Sequence, residues 1–334
     1  MAGLWGCTTM KLASERNACP DGSLMVVSRD LKRMVSAAAI SPNLQNALER
    51  WEEVAPALRS LYDCLNTGRA EKATEFRPGA MAAPLPRAWQ WLDGSAFPSH
   101  GELMQKAFNL PPIATDLPLM YQGMSHQFLG PTESVPFMSE QDDIDFEGEF
   151  GVITGEVPMG TSAKEALGCV QLAVQINDWS LRAIAPVEMK TGFGWIQAKP
   201  ACSMAPLAVT LDELGDDWAE GRILATLDVR RDGAQFGTVP STEMAFGFHQ
   251  LIAHAARSRR LCAGTIIGSG TVSTRSFQEA GSCCIAERRA IEMIDIGAPR
   301  TKYLRFGETV RMEARIGSRA EPPFGVIEQT VVRG

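Results

Sequence analysis

Apolar residues recur at alternating spacings of four and three near the start of the chain, at Leu44, Leu48, Trp51, Ala55, Leu58, Tyr62 and Leu65. With 3.6 residues to a turn, that spacing puts them on one helical face. Ser41-Pro42 predicts the helix start, serine as cap and proline in the first turn; Pro56 predicts a bend, and the helix ends before Gly68. The stripe packs against its own domain or against a partner helix, the first being commoner. Residues 10–13 and 24–28 flank Asp21-Gly22 and predict a hairpin, with ordered chain from Met10. Residues 69–86 are charged and proline-containing and read as a link.

Beyond the link, Ser99 followed by Glu102 forms a capping box for a helix continuing through Leu103, Met104 and Phe108, closed by Pro111 and Pro112. Residues 117–121 read as a short strand. Ser162 with Glu165 opens a second short helix ending near Gly168. Apolar runs at 148–157, 170–176, 206–210, 223–230, 235–239, 305–316 and 324–332, divided by signals such as Asp216-Asp217 and Asp232-Gly233, predict strands. Phe246, Phe248, Leu251, Ile252 and Ala255 predict a helix whose last turns hold Arg257, Arg259 and Arg260. The pattern is α+β and β-rich: a small N-terminal α+β domain over 1–85 and a larger domain over 86–334.

Composition narrows the function. The 334 residues carry a formal charge of -7 with no long run of Lys and Arg, which disfavours nucleic acid as a partner. No apolar stretch reaches the roughly 18 residues of a membrane span, and the opening MAGLWGCTTMKLASER does not read as a secretory signal. Eight scattered cysteines fit thiols in a reducing cytoplasm better than a disulfide framework.

The candidate chemistry begins at Asp145-Phe146-Glu147-Gly148-Glu149-Phe150. On a strand, Glu147 and Glu149 share a face, where two negative charges repel unless a proton or cation lies between them. A cation held only by oxygens is a hard ion such as Mg2+, Ca2+ or Mn2+; the alternative is a pair of solvated glutamates. Asp178, at the end of a buried strand, is a turn former or a carboxylate aimed into a crevice. His100 falls in a helix's first turn, where the dipole disfavours the imidazolium and leaves a neutral base or a surface histidine. Lys199 is a solvated lysine or a cation that meets developing negative charge. His249 and His254 read as structural. The run from Gly264 to Thr271 lacks the spacing of a Rossmann fingerprint or P-loop, but its backbone or Thr271 could approach a ligand anion.

Taken together, DFEGEFGVI, NDWSLR and GSGTVS, in this order from about Trp91 to Val332, resemble the fumarylacetoacetate hydrolase family. The resemblance implies a mixed β-sandwich roll and one divalent cation, Mg2+ first, with Ca2+ or Mn2+ as alternatives. By residue, Asp93, Glu147, Glu149 and Asp178 match metal ligands; His100, seven residues after Asp93, matches the catalytic histidine, with Glu287 as its partner. Lys199 matches a catalytic lysine, and Tyr121, Arg182 and Thr271 match substrate-binding residues, which His126 could supplement. Ala185 replaces a glutamine of the pattern, Asn109 is nearest to a missing arginine, Glu287 lies two residues further along than the pattern has it, and the N-terminal segment is short, which puts fumarylacetoacetate itself in doubt. The implied activity is metal-dependent hydrolysis of the carbon–carbon bond of a 2,4-diketo acid by a cytoplasmic homodimer. Decarboxylation, hydration or tautomerisation of a 2-oxo acid is the alternative within the superfamily, and a non-catalytic binding or scaffold protein the alternative outside it.

Overall fold

The computed structural model describes residues 9–109 and 115–334. The expected ends at Pro111 and Pro112, and most of the segment before Met10, lie outside the described residues.

Among the described residues, eleven strands make one sheet. Its order is Thr74–Glu75, Arg33–Ser36, Ser23–Val27, Lys11–Glu15, Ala208–Thr210, Val170–Asn177, Gly148–Thr154, Ile266–Gly268, Trp91–Gly94 and Met120–Gly123, with Ser203–Met204 also on Val170–Asn177. Every pairing is antiparallel except that of Ile266–Gly268 with Trp91–Gly94. A second, five-stranded sheet runs Ala234–Pro240, Thr226–Arg231, Thr309–Arg315, Val326–Arg333 and Val135–Phe137. Thr309–Arg315 and Val326–Arg333 alternate buried with less buried residues, as strands with one face on a core do. Phe150 and Val152 of the first sheet share that core with Leu227, Val229, Met312 and Ile327 of the second. The layers approach closely at Gly148, where a Cβ would come within 2.7 Å of Leu227 Cδ2. This is the α+β, β-rich roll, and its N-terminal part extends the first sheet through the pairing of Lys11–Glu15 with Ala208–Thr210.

A second core joins Val54, Leu58, Tyr62 and Leu65 to Leu12, Leu24, Val26, Trp91, Ile153 and Ile176. Here the helix pattern needs correction. The stripe is two helices, Leu44–Glu49 and Trp51–Asn66, parted at Arg50, and Pro56 lies inside the second. Proline removes one hydrogen bond and can cost about 3 kcal/mol, but each large apolar side chain buried on this face contributes about 1.5–3 kcal/mol. Asn43, not Ser41, is the cap: its side chain accepts from Asn46 N at 2.8 Å, while Ser41 donates to Asn46 Oδ1 at 2.9 Å.

Two more ends differ. Pro98–Phe108 begins at Pro98 with Phe97 as cap residue, so the expected Ser99–Glu102 box is not formed; Glu102 instead accepts from Arg275 Nε at 2.9 Å. The Ser162–Glu165 box is present. Helix Phe248–Ala255 stops before its arginines, and Arg259 and Arg260 turn out to Gln122 and Glu156. Among the described residues no helix is long and apolar enough to cross a membrane.

Candidate active site

Three neighbouring strands deliver the acids. Asp93 stands near the end of Trp91–Gly94, across from Gly268 on one side and Tyr121 on the other. Glu149 lies on Gly148–Thr154, paired with Ile176, and Asp178 directly follows Val170–Asn177. All three are buried, and one oxygen from each lies within 4.8 Å of the others. The glycine-rich turn makes room for this. A Cβ on Gly268 would sit 2.2 Å from Asp93 Oδ1, and Gly270, at φ +75°, gives its N–H to the same oxygen at 3.0 Å. The backbone expected to approach a ligand anion here donates to the protein's own Asp93. Thr271 is buried next in line.

Burial, then the mutual repulsion of these carboxylates, pushes Asp93 and Glu149 well above the usual carboxylate range. Both Glu149 oxygens are buried with no hydrogen-bond partner. Three convergent oxygen donors, one from each acid and that of Glu149 otherwise unsatisfied, fit a hard divalent cation.

Glu147 stands apart from that trio. Its Oε1 accepts from Arg182 at 2.5 Å and its Oε2 from Lys199 Nζ. Burial alone would raise its pKa, but these two cations outweigh burial and hold it well below the ordinary value. Lys199, itself buried, also donates to Asp178 Oδ2 at 2.6 Å and Ser180 Oγ at 2.8 Å. Burial opposes its charge; Asp178 and Glu147 reverse that and keep it an ammonium. Tyr121 donates its hydroxyl to Asp178 Oδ2 at 2.7 Å and stacks on Trp195 at 5.3 Å.

His100, in the first turn of its helix, faces the start of helix Ile285–Ile296. Its Nδ1 is 2.9 Å from Glu287 Oε1. Burial disfavours the imidazolium, but the hydrogen bond and charge of Glu287 outweigh it, so the histidine is raised rather than lowered. The helix-dipole expectation of a lowered value is overridden by this nearer, full charge.

Asp145 was given no role by its sequence, although it heads the acidic run. It is fully buried, accepts from Ile285 N at 2.7 Å, Ala286 N at 2.9 Å and Arg182 Nε at 2.8 Å, and so joins the helix carrying Glu287 to the cation holding Glu147. Arg182, expected on substrate, is engaged with these two acids. His126 lies elsewhere, in a surface cleft of about 310 Å³ with Arg16 and Arg87.

The fold and this acid-lined site define a family. Residues 90–332 match the fumarylacetoacetate (FAA) hydrolase C-terminal domain and residues 10–87 the fumarylacetoacetase N-terminal domain 2; the chain belongs to the fumarylacetoacetate hydrolase family. It is 29% identical over 163 residues to 2,4-didehydro-3-deoxy-L-rhamnonate hydrolase of Sphingomonas sp. (strain SKA58), a match spanning 48% of this chain and only about half, 54%, of that relative. Among solved structures it resembles maleylpyruvate hydrolase from Sphingobium sp. SYK-6, in complex with manganese(II) and pyruvate, with TM-score 0.66, 15% identity and coverage of 97% and 100% of the two chains. It also resembles 2-hydroxyhepta-2,4-diene-1,7-dioate isomerase from Mycobacterium marinum, with TM-score 0.60, 16% identity and coverage of 97% and 98%. At these identities the solved structures establish the fold.

Proposed function

We propose that the protein is a divalent-cation-dependent hydrolase that cleaves the carbon–carbon bond of a 2,4-diketo acid. The observation that carries this reading is a His100–Glu287 dyad, 2.9 Å apart and near enough to Glu147 to feel its charge, together with the Asp93–Glu149–Asp178 oxygen cluster, in which Glu149 has two unsatisfied atoms. The relatives named for hydrolysis of maleylpyruvate and of a didehydro-deoxy sugar acid support it.

Asp93, Glu149 and Asp178 would hold the ion, with Glu147 completing the set if Lys199 yields its oxygen; Mg2+ is our first assignment. When bound, the ion supplies Lewis acidity that polarises the substrate's keto oxygens and favours an enolate. With Nδ1 committed to Glu287, the other ring nitrogen of His100 is the one that takes a proton from water. The water oxygen attacks the carbonyl carbon of the acyl group, the bond from that carbon to the methylene breaks, and its electron pair moves onto the departing enolate. The proton held by His100 ends on the former methylene carbon, giving a 2-oxo acid, and the acyl carbon leaves as a carboxylic acid. Lys199 offers fixed positive charge to the enolate.

The proposal is tested by following the near-ultraviolet enolate absorbance of acylpyruvates, with and without a chelator. Bleaching that chelation abolishes supports it; no loss of any diketo acid by ion-loaded protein refutes it. A second reading, isomerisation, is favoured by the likeness to the Mycobacterium marinum isomerase. It predicts a rearranged product with every carbon retained.

A further inference from the structure

The His100–Glu287 dyad has a neighbour that the reaction above does not use. Cys284 is the cap residue of helix Ile285–Ile296, is fully buried, and accepts through Sγ from Glu287 N at 3.3 Å. One ligand atom from each of His100, Cys284 and Glu287 lies within 4.8 Å of the others. An isolated bridge between Cys284 and Glu147 ties the start of this helix to the acidic run, and Asp145 ties it again through Ile285 N and Ala286 N. The His100 side chain is 22% exposed, which leaves a way in from solvent.

This donor set differs in kind from the oxygen cluster. Asp93, Glu149 and Asp178 suit a hard ion, whereas a thiolate, an imidazole and a carboxylate are the donors of a borderline ion such as Zn2+. A tetrahedral zinc sets its ligand atoms about 3–4 Å apart, and the dyad already stands at 2.9 Å. Burial, then the charges of Asp145 and Glu287, push the Cys284 thiol well above its ordinary value, so on its own it keeps its proton. A dication reverses that balance, because one thiolate and one carboxylate together cancel its charge in the buried space. We propose that His100, Cys284 and Glu287 form an inhibitory Zn2+ site, separate from the Asp93–Glu149–Asp178 cluster. The thiol proton leaves to solvent, Zn2+ bonds to Sγ, to the Glu287 carboxylate and to Nδ1, and the displaced ring proton moves to Nε2. The nitrogen that takes a proton from water then already carries one, and turnover stops. Binding of the ion needs only this geometry; its effect on turnover rests on the hydrolase reading above.

Two measurements on the Mg2+-loaded protein separate binding from its effect. Co2+, a spectroscopic stand-in for Zn2+, is titrated in a large excess of Mg2+. The expected result is a near-ultraviolet thiolate-to-cobalt charge-transfer band that is lost in His100→Ala and in Cys284→Ser, where the serine keeps the helix cap. No such band, or the same band in Cys284→Ser, overturns the proposal. Hydrolysis of 2,4-dioxopentanoate is then followed with added Zn2+. Loss of a ligand costs no less than the roughly 10–100-fold lost with an orienting partner, so Cys284→Ser should need at least about tenfold more Zn2+ than the parent for equal inhibition. No inhibition, inhibition that further Mg2+ relieves, or equal inhibition of Cys284→Ser overturns the proposed effect. Protein that turns over no diketo acid at all would remove the hydrolase reading, and the cobalt spectrum alone would then decide the metal site.

Discussion

Glu149 has two buried oxygens without a hydrogen-bond partner, beside two further buried acids. Replacing it by glutamine removes one repelling charge and one ligand. Glu149→Gln is expected to melt no lower than the parent in the presence of chelator, and to lose the upward shift that excess Mg2+ produces, about 2.7 kcal/mol at a hundredfold excess over Kd. Thermal melts with and without the ion check both halves. His100 makes a contrasting prediction. Its alanine variant should lose on the order of 10²–10⁴-fold in kcat while binding Mg2+ as before, by calorimetry. The raised imidazole also sets a pH dependence. The base works only when neutral, so activity falls as pH drops through a value above the ordinary one of about 6.5. In Glu287→Gln the partner charge is gone, and that acid limb moves to lower pH in a kcat/KM profile.

At the scale of elements, what was legible was periodic or chemically punctuated. The apolar stripe from Leu44 to Leu65 and the Ser162–Glu165 box gave helices because both signals are local. The Ser99–Glu102 box failed because the helix starts earlier, at Pro98, and Glu102 pairs with Arg275, 173 residues away, a partner no local pattern contains. Asp145 escaped a role for the same reason, since its partners Ile285 and Ala286 are 140 and 141 residues distant. Its position predicts a distinct phenotype. Asp145→Asn breaks a buried ion pair with Arg182 and loosens the start of helix Ile285–Ile296, so a loss of about 3–5 kcal/mol in denaturant unfolding is expected. Gly268→Ala should act through its neighbour: the new Cβ would lie 2.2 Å from Asp93 Oδ1, displacing that acid and weakening Mg2+ binding by calorimetry at least tenfold.

Over the whole molecule, the site exists because distant strands are laid side by side. Asp93 reaches Glu149 only through Ile266–Gly268, which pairs with both their strands. Long-range pairing of this kind leaves no mark in local periodicity. The resemblance carried by DFEGEFGVI, NDWSLR and GSGTVS supplied the grouping that periodicity could not. It did not show how the acids divide, with Asp93, Glu149 and Asp178 gathered in one cluster and Glu147 held by Lys199 and Arg182. The central claim is that water is the nucleophile and a carbon–carbon bond is broken. The most direct test is mass spectrometry of products formed from 2,4-dioxopentanoate in ¹⁸O-water with Mg2+ present. The account predicts pyruvate together with acetate carrying one ¹⁸O in its new carboxylate. A single product of the substrate's own carbon count, with no acetate released, would contradict it.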